Sequence, residues 1–391
     1  MACEREQLGT QFAVSKTEIG RFLKGFKRVR DFCASTLMAV TRRNPRLCMY
    51  RTQFALTAIL FAGWLCLWTS AASAATDAST NSEAAGVGIR PWENYFGAVI
   101  LPPARALVVG DKGLVLTSDD EGRTWTRRKL KEGPEAWDLY SVAFSPDGIT
   151  GWIVGDNGVI FHSGDHGTTW TRQEAHGVSS PLFKVAALDS QRACAVGGGG
   201  SILCTDDGGN SWNLQRFKNF IFFDIAFSDS NNGAAVGEYS TVLITSDGGK
   251  TWKLQEGGKS LINADPYLAI AYTSSSDGIL ASLGGTILQT SDAGKSWKKS
   301  QAVSQQHSLF TLVPTSIPGD RQYYAGGDGG NAVLISGDNV SAVETNTSNT
   351  LTDFAISPHL SLAVGLSGTL LRSEDGGQHW RRIEFGRITE N

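Results

Sequence analysis

Carboxylates recur in this chain at one place in a short motif, [ST]-x-D-x-G-x-x-W. The motif ends at Trp125, Trp170, Trp212, Trp252, Trp297 and Trp380, and its carboxylates are Asp120, Asp165, Asp207, Asp247, Asp292 and Asp375. An Asp in this setting could serve as a general acid, bind a metal ion or hold a turn. The motif favours a turn, because short hydroxyl and carboxylate side chains bond nearby backbone amides and Gly tolerates positive φ.

Other patterns that could support catalysis are weak. The six His are scattered, without the H-x-H or H-E-x-x-H spacing of metal sites. The run 197–200 (GGGG) leads into a strand, whereas a phosphate loop needs a helix amino terminus. A sialidase needs a Tyr nucleophile with a Glu partner and clustered Arg, and the stretch 88–91 (GIRP) lacks its F/Y-R-I-P signature. We therefore predict no catalytic residue, no metal and no cofactor, and keep glycoside hydrolysis as an alternative.

The spacing of the motif predicts the elements that carry it. Successive Trp lie 45, 42, 40 and 45 residues apart, and the last two lie 83 apart. A degenerate copy is expected midway, and 336–338 (SGD) fits, with Val340 and Val343 in place of the Gly and the Trp. Each unit holds short apolar runs divided by Gly turns, about four strands per 40–45 residues, which is typical of propeller blades. The sequence predicts an all-β, seven-bladed β-propeller of four-stranded blades over 90–390, with Asp338 as the seventh motif Asp.

In this interpretation the motif residues are structural. The Asp residues clamp the turn between the last two strands of a blade, and the Trp residues pack between sheets. Segment 92–96 (WENYF) is expected to supply a strand that closes the ring against the last blade. Closure removes exposed sheet edges, which would otherwise invite aggregation.

Two of the six Cys, Cys194 and Cys204, lie in the propeller region at equal distances from Gly199. A hairpin would place them opposite each other, and in an oxidising compartment a disulfide is one expectation. The other is a pair of small buried apolar residues, because directly opposed strand positions often strain a disulfide.

Charge is nearly balanced overall, with 35 Lys and Arg against 38 Asp and Glu. The first 75 residues hold 11 basic and 4 acidic residues, so the remainder is acidic. An acidic body argues against a nucleic-acid partner, which needs clustered cations. Arg127, Arg128 and Lys129 follow the first motif, and Arg381 and Arg382 follow the last. These blades adjoin across the ring, so the five residues are candidates for a partner-binding patch, and a solvated outer strand is the alternative.

Segment 52–68 is 17 residues without a charge, preceded by Arg residues and followed by small ones. A basic, an apolar and a small-residue region in this order are typical of a secretory signal. We interpret 49–74 as a signal peptide cleaved between Ala74 and Ala75.

The alternative is an uncleaved membrane anchor formed by 52–68, although 17 residues is near the short limit for a span. Either way the propeller would lie outside the cytoplasm, because positive charges stay inside. Residues 75–89 are predicted to be a linker. Residues 1–48 are an N-terminal extension or follow from a mis-assigned start, since Met38 and Met49 could each begin a conventional signal.

The phrase V-G-x-x-G-x-[VIL]-L-x-[ST]-x-D-x-G-x-x-W, repeated in seven units after a signal, resembles the photosystem II stability/assembly factor family. The resemblance covers about 88–390. It implies the seven-bladed Asp-box (BNR) propeller of the cyanobacterial and chloroplast thylakoid lumen. It also implies a non-enzymatic protein that binds the newly made D1 protein through an Arg-rich surface. Arg127, Arg128, Arg381 and Arg382 are the candidates for that surface.

Together these patterns predict a non-catalytic, exported scaffold that binds a membrane protein and assists its assembly or stability. The compartment would be the periplasm, or the thylakoid lumen in a photosynthetic organism. One alternative is a periplasmic accessory protein of an envelope transport system, since the sequence also resembles a branch of the family in non-photosynthetic bacteria. A glycan-binding protein is another, and it predicts exposed aromatic side chains, with Trp92, Trp137 and Trp152 as the Trp residues outside the motif. An enzyme predicts Glu, Tyr and Arg converging on the central channel.

Overall fold

A computed structural model describes residues 90, 92–130, 136–217, 220–255, 265–300, 307–315 and 321–383. The predicted extension, signal peptide or anchor, cleavage site and linker lie outside these residues. Within the described part, no helix is long and apolar enough to cross a membrane.

The described residues form seven antiparallel sheets of four strands each, which confirms the predicted all-β, seven-bladed propeller. Each sheet is one blade built from four consecutive strands, so blade 1 contains β1–β4 and blade 7 contains β25–β28. The innermost strands are β1 Tyr95–Leu101, β5 Leu139–Phe144, β9 Leu182–Ala187, β13 Phe222–Phe227, β17 Tyr267–Tyr272, β21 Leu309–Pro314 and β25 Leu351–Ile356.

The second strands are β2 Arg105–Gly110, β6 Gly151–Gly155, β10 Ala193–Gly197, β14 Gly233–Gly237, β18 Gly278–Ser282, β22 Gln322–Gly327 and β26 Ser361–Gly365. The third strands are β3 Leu114–Ser118, β7 Ile160–Ser163, β11 Ser201–Thr205, β15 Thr241–Thr245, β19 Ile287–Thr290, β23 Ala332–Ser336 and β27 Thr369–Ser373. The outer strands are β4 Thr126–Lys129, β8 Thr171–Gln173, β12 Asn213–Arg216, β16 Lys253–Leu254, β20 Lys298–Lys299, β24 Asn339–Ala342 and β28 Arg381–Arg382.

Short 3-10 turns join the second and third strands of five blades, at Asp111–Gly113, Asp156–Gly158, Gly198–Gly200, Glu238–Ser240 and Asp328–Gly330. The Gly that ends the second strand is required by a close approach of backbone. A Cβ on Gly155 would lie 2.1 Å from the carbonyl oxygen of Asp138, in the segment that enters the same blade. In six of the seven described blades the second strand ends in Gly, which marks the place where the blade's entry segment crosses its own turn, whereas in blade 5 it ends in Ser282.

The ring closes differently from the sequence prediction. Tyr95 lies in β1, which pairs with β2 inside blade 1, so 92–96 adds no strand to the last blade. Blades 7 and 1 meet through packed side chains, and Tyr95 and Leu362 belong to one buried cluster. Polar bonds add to the seam, since the backbone N–H of Ala98 donates to Asp353 at 3.1 Å. Consecutive strands make complete sheets by themselves, so packing is sufficient to join the ends of the ring.

The hydrophobic core is divided among the seams between blades. Seven buried clusters are present in the described residues, and each joins two neighbouring blades. Ile153 of blade 2, for example, packs with Leu107 and Val109 of blade 1. The second and third strands are buried on both faces, which explains why they are continuous apolar runs.

Candidate functional site

The Asp motif forms the turn between the third and outer strands. In all six intact copies the Asp Oδ1 accepts the backbone N–H of the residue four positions later, at 2.8–3.0 Å. The Asp Oδ2 accepts the hydroxyl of that residue, or pairs with its imidazole, at 2.5–2.6 Å. These partners are Thr124, Thr169, Ser211, Thr251, Ser296 and His379. The sequence analysis missed this position, although a hydroxyl or imidazole precedes the Trp in each copy.

Hydrogen bonds keep these carboxylates ionised. The hydroxyl and backbone N–H of Ser211 lower the pKa of Asp207 to about 2. For Asp120 and Asp165 burial is the largest single effect and raises the pKa, but the hydrogen bonds together outweigh it and lower the pKa of each to about 2. A carboxylate held in this way is a poor proton donor near neutral pH, so the geometry is that of a turn clamp.

Asp338, expected to be the seventh motif Asp, does not clamp a turn of this kind. Strands β23 and β24 are joined by a tight hairpin, in which Ser336 pairs directly with Asn339. The carboxylate of Asp338 instead accepts a hydrogen bond from Ser300 of blade 5 at 2.9 Å. Without the Gly and Trp of the motif, the shorter turn is the one that forms.

The motif Trp residues pack against the preceding blade. Trp297 of blade 5 shares a cluster with Val236 of blade 4, and Trp380 of blade 7 shares one with Tyr324 of blade 6. Six of the seven seam clusters contain a motif Trp in this way, at Trp125, Trp170, Trp212, Trp252, Trp297 and Trp380. The cluster between blades 5 and 6 has none, because the motif of blade 6 lacks its Trp. Val343, which holds the Trp position in the sequence, packs instead against the cluster between blades 6 and 7.

A second set of side chains ties each of blades 1 to 4 to the next blade. The residue three positions after the motif Trp donates to a backbone carbonyl of the following blade's motif turn. We call these residues, Arg128, Gln173, Gln215 and Gln255, the inter-blade clamps. The sequence analysis missed them, although Gln recurs at this position in three units.

The second residue of every innermost strand interrupts the regular pairing of that strand. In each blade the register skips this residue, which is the signature of a β-bulge. Four of these residues, Phe96, Tyr140, Phe183 and Phe223, stack successively with ring centroids 5.3, 5.6 and 6.2 Å apart. We call them the aromatic arc. They are partly exposed, so blades 1 to 4 present apolar surface in the channel.

A charged layer lies next to the aromatic arc. Lys184 of blade 3 approaches Asp353 of blade 7 at 3.8 Å, although these blades are not neighbours. The two side chains therefore meet across the axis of the ring. Burial raises the pKa of Asp224 in blade 4 to about 6, against the opposing effect of Lys184. Burial alone would lower the pKa of Lys184, but the carboxylates of Asp353 and Asp224 raise it.

The seven innermost strands contain no Glu and no Arg. The combination of Glu, Tyr and Arg expected of a sialidase-like enzyme is therefore missing from the channel walls that the structure describes. No group of three or more His, Cys, Asp and Glu in the described residues could hold a metal ion. The described channel walls present an aromatic surface beside a lysine and two carboxylates.

The three Trp residues outside the motif differ in exposure. Trp92 is 62 % exposed, whereas Trp137 and Trp152 belong to the core. The guanidinium of Arg172 also makes a cation–π contact with Trp137 and lies 4.9 Å from the centroid of its ring. Of the three, only Trp92 is presented to a ligand.

The candidate basic patch is partly occupied by contacts within the propeller. Arg127 makes a bidentate ion pair with Glu93, and both side chains are largely buried. Arg128 donates to Thr168, as an inter-blade clamp. Lys129, Arg381 and Arg382 are exposed on the outer strands of neighbouring blades and remain as the accessible part of the patch.

Basic residues are not confined to this patch. Six of the seven outer strands contain Lys or Arg, and only β24 lacks them. Outer strands are sheet edges, and cations on an edge oppose pairing with another chain. Much of the basic character therefore has a structural purpose.

Cys194 and Cys204 form a disulfide between the paired strands β10 and β11. The bond is buried in the seam between blades 3 and 4. A Cβ on Gly249 of blade 4 would lie 2.5 Å from the Cys194 sulfur, so the motif Gly of the next blade leaves room for the disulfide.

Comparisons with known proteins match this architecture. Residues 98–216 match the family model described as Photosynthesis system II assembly factor YCF48. Two solved structures are each 19% identical to this chain, and each match covers 74% of it. The first, YCF48 bound to D1 peptide, has a TM-score of 0.59, and 95% of that chain is covered. The second, YCF48 from Cyanidioschyzon merolae, has a TM-score of 0.58, and 98% of that chain is covered. The WD40 β-propeller domain of Doa1 matches at 10% identity with TM-score 0.57, over 72% of this chain and 92% of that one. No curated protein has a significant match.

The Doa1 domain has nearly the same TM-score as the two YCF48 structures, so the structural matches establish the fold alone. The family model adds sequence similarity across β1 to β12, which are blades 1 to 3. The predicted resemblance is therefore confirmed: this chain is a seven-bladed propeller similar to the photosystem II assembly factors.

Proposed function

We propose that this protein is a non-catalytic, exported scaffold that binds a membrane-protein partner and assists its assembly or stability. The match of residues 98–216 to the assembly-factor family carries the proposal. The similar propeller described as bound to D1 peptide supports a membrane-protein segment as the partner. The partner is a photosystem II reaction-centre subunit or, in a non-photosynthetic organism, a subunit of an envelope transporter.

The chemistry of the propeller favours binding over catalysis. Its recurring carboxylates are held ionised in turns, and its channel walls combine aromatic rings with Lys184. The accessible part of the basic patch, Lys129 with Arg381 and Arg382, suits acidic groups of a partner.

The proposed compartment is the periplasm or the thylakoid lumen. The Cys194–Cys204 disulfide supports this location, since such bonds persist mainly in oxidising compartments. Segment 49–74 would direct export, and 52–68 would tether the protein if it stays uncleaved.

Crosslinking in native membranes tests the proposed function. The full chain, tagged at its C-terminus and expressed in its own organism, would be crosslinked and purified, and the captured proteins identified by mass spectrometry. We expect a photosystem subunit or an envelope transporter. Recovery of no membrane protein, even at low salt where electrostatic contacts are strongest, would contradict the scaffold function.

A charge reversal shows whether the accessible patch contributes. Arg381→Glu combined with Arg382→Glu should lower recovery of the partner severalfold, because two attractive charges become repulsive. Lys253→Glu, on the outer strand of blade 4, is the matched control and should leave recovery unchanged. Equal recovery by the double variant and the control would remove the patch from the proposal while leaving the scaffold function intact.

A further inference from the structure

The seam between blades 5 and 6 differs from the other six. Its buried cluster contains Ala271, Ile287, Leu312 and Ile335 but no motif Trp. The missing indole follows from the degenerate motif of blade 6, where Val343 stands in place of the Trp. At the other seams an indole fills the space between neighbouring sheets.

A cleft of about 320 Å³ opens at this seam. That volume lies at the lower end of the range of about 300–1,000 Å³ for ligand pockets, and it suits one large side chain. One wall is the motif turn and outer strand of blade 5, and the other is the start of β22 and the tight hairpin of blade 6. The lining of the cleft includes Asp277, Gln289, Lys298, Arg321, Tyr323 and Asp338.

The polypeptide compensates only in part for the missing indole. Tyr323 stands at the start of β22, where the corresponding residues of the other blades are Ala106, Gly151, Ala193, Gly233, Gly278 and Ser361. Its hydroxyl lies 2.9 Å from Thr273 Oγ1 of blade 5. Gln289 crosses the seam on the other side and donates to the carbonyl of Gly337 at 2.6 Å. These contacts support the walls of the cleft and leave the space between them open.

Two cations and two carboxylates face the cleft, Lys298 and Arg321 with Asp277 and Asp338. Lys299 pairs with Leu288, which packs in the seam between blades 4 and 5, so its side chain lies on the other face of the sheet. Asp277 is already paired with Arg321 at 3.1 Å, and Asp338 accepts the Ser300 hydroxyl.

Lys298 faces into the seam. It pairs with Gln289 across β19 and β20, and directly paired residues lie on the same face of a sheet. Gln289 reaches blade 6, so Lys298 points the same way. An exposed ammonium at the mouth of the cleft is suited to a carboxylate on an incoming ligand.

We propose that this cleft binds an extended acidic segment of the membrane-protein partner, with an aromatic side chain inserted between blades 5 and 6. The inserted ring would lie in the cleft beside Tyr323, the aromatic residue of its lining. A neighbouring Asp or Glu of the segment would pair with Lys298. The inference rests on the proposed scaffold function and places one docking point of the partner on this chain.

Synthetic peptides test the cleft directly. The probe is a fluorescein-labelled peptide of seven residues with one Phe between two Asp, titrated with the full chain and followed by fluorescence anisotropy at low salt. Replacing the Phe by Ala, or both Asp by Asn, should weaken binding. Lys298→Glu should raise the Kd by about fivefold or more, since an attractive charge pair becomes repulsive.

Lys253→Glu is the matched control, because Lys253 holds the same position after the Trp of blade 4 beside an indole-filled seam. It should change the Kd by less than about twofold. Equal effects of the two substitutions, or no binding by the wild-type protein up to about 1 mM, would overturn the proposal.

Native crosslinking separates this inference from the scaffold function. If wild type and Lys298→Glu capture the same membrane protein equally well, the cleft is not the docking point and the scaffold function stands. If the wild-type protein captures none, the scaffold function itself fails.

Discussion

Each motif Asp stabilises its turn through charge-assisted hydrogen bonds, and its effect depends on how many it accepts. Asp165 accepts the Ser163 hydroxyl at 2.8 Å and both the N–H and the hydroxyl of Thr169. Asp338 accepts one hydrogen bond, from Ser300. Comparing substitutions of these two residues therefore measures how much an intact motif contributes to the free energy of unfolding.

We predict that Asp165→Ala lowers the free energy of unfolding by about 2 kcal/mol, because three donors lose a charged acceptor. Asp338→Ala, with one donor affected, should cost less than about 1 kcal/mol. Urea unfolding followed by Trp fluorescence measures both. Equal losses would show that the hydrogen bonds of the intact motif add nothing beyond those of the tight hairpin.

The ionised motif residues also predict how stability depends on pH. The folded pKa of Asp120, Asp165 and Asp207 is about 2, below the unfolded value of about 3.9, so their stabilisation is lost as pH falls from 4 to 2. Burial raises the pKa of Asp111 and Asp224 to about 6, so protonation of these two stabilises the fold as pH falls from 7 to 4. Thermal unfolding between pH 3 and 8 should show maximum stability near about pH 4–5. A midpoint that falls steadily from pH 7 to 4 would contradict this balance.

At the scale of elements, the disulfide and the next blade's motif turn occupy the same seam. Gly249 has φ +89, and a Cβ there would meet both sulfurs, at 2.5 Å from Cys194 and 2.9 Å from Cys204. Gly376, in the motif of blade 7, has φ +71 but no atom within 4 Å of such a Cβ. The two glycines separate the cost of backbone conformation from the cost of a steric clash.

Gly376→Ala should lower the free energy of unfolding by about 1 kcal/mol, the cost of positive φ in a residue with a side chain. Gly249→Ala should lower it by about 3 kcal/mol or more, because the methyl group also overpacks the seam against the sulfurs. Thermal and urea unfolding compare the two variants under oxidising conditions. A similar small loss for both would mean that the seam between blades 3 and 4 adjusts freely.

The sequence predicted the blades well because each blade repeats the same local pattern. Alternating turns and apolar runs set the strands, and the interval between Trp residues set the number of blades. The bulges were not predicted, since two adjacent apolar residues such as Tyr95 and Phe96 look like an ordinary buried strand. In hindsight that pair recurs at the start of most innermost strands, and it marks one residue packed in the core and one directed to the channel.

Contacts between blades were the part that local pattern could not supply. The approach of Lys184 to Asp353 joins residues that are far apart in sequence and belong to different blades. Its geometry depends on the curvature of the closed ring. The cleft between blades 5 and 6 was likewise not predictable from local pattern. The degenerate motif indicates that a Trp is missing, but it does not indicate how the neighbouring strands are arranged around the gap.

For the whole molecule, side chains on the axis contribute to closing the ring. Asp353 accepts the hydroxyl of Thr311 in blade 6 and the backbone N–H of Ala98 in blade 1, and it faces Lys184 of blade 3. One carboxylate of blade 7 therefore contacts three other blades. The ends of the chain share no strand, so these contacts bear directly on whether the ring stays closed.

A double-mutant cycle measures this contribution. Lys184→Met, Asp353→Asn and the double variant should give a coupling energy of about 1–2 kcal/mol. The pair is screened less than a surface pair, which strengthens the coupling, but Lys184 is partly exposed, which limits it. The control cycle uses the surface ion pair of Arg192 and Asp189, whose coupling should stay below about 1 kcal/mol. Raising the salt concentration should weaken the control pair more than the axial pair, because the channel excludes much of the screening solvent. If the axial coupling were no larger than the control, closure of the ring would depend on the apolar seam between blades 7 and 1 and not on charge across the axis.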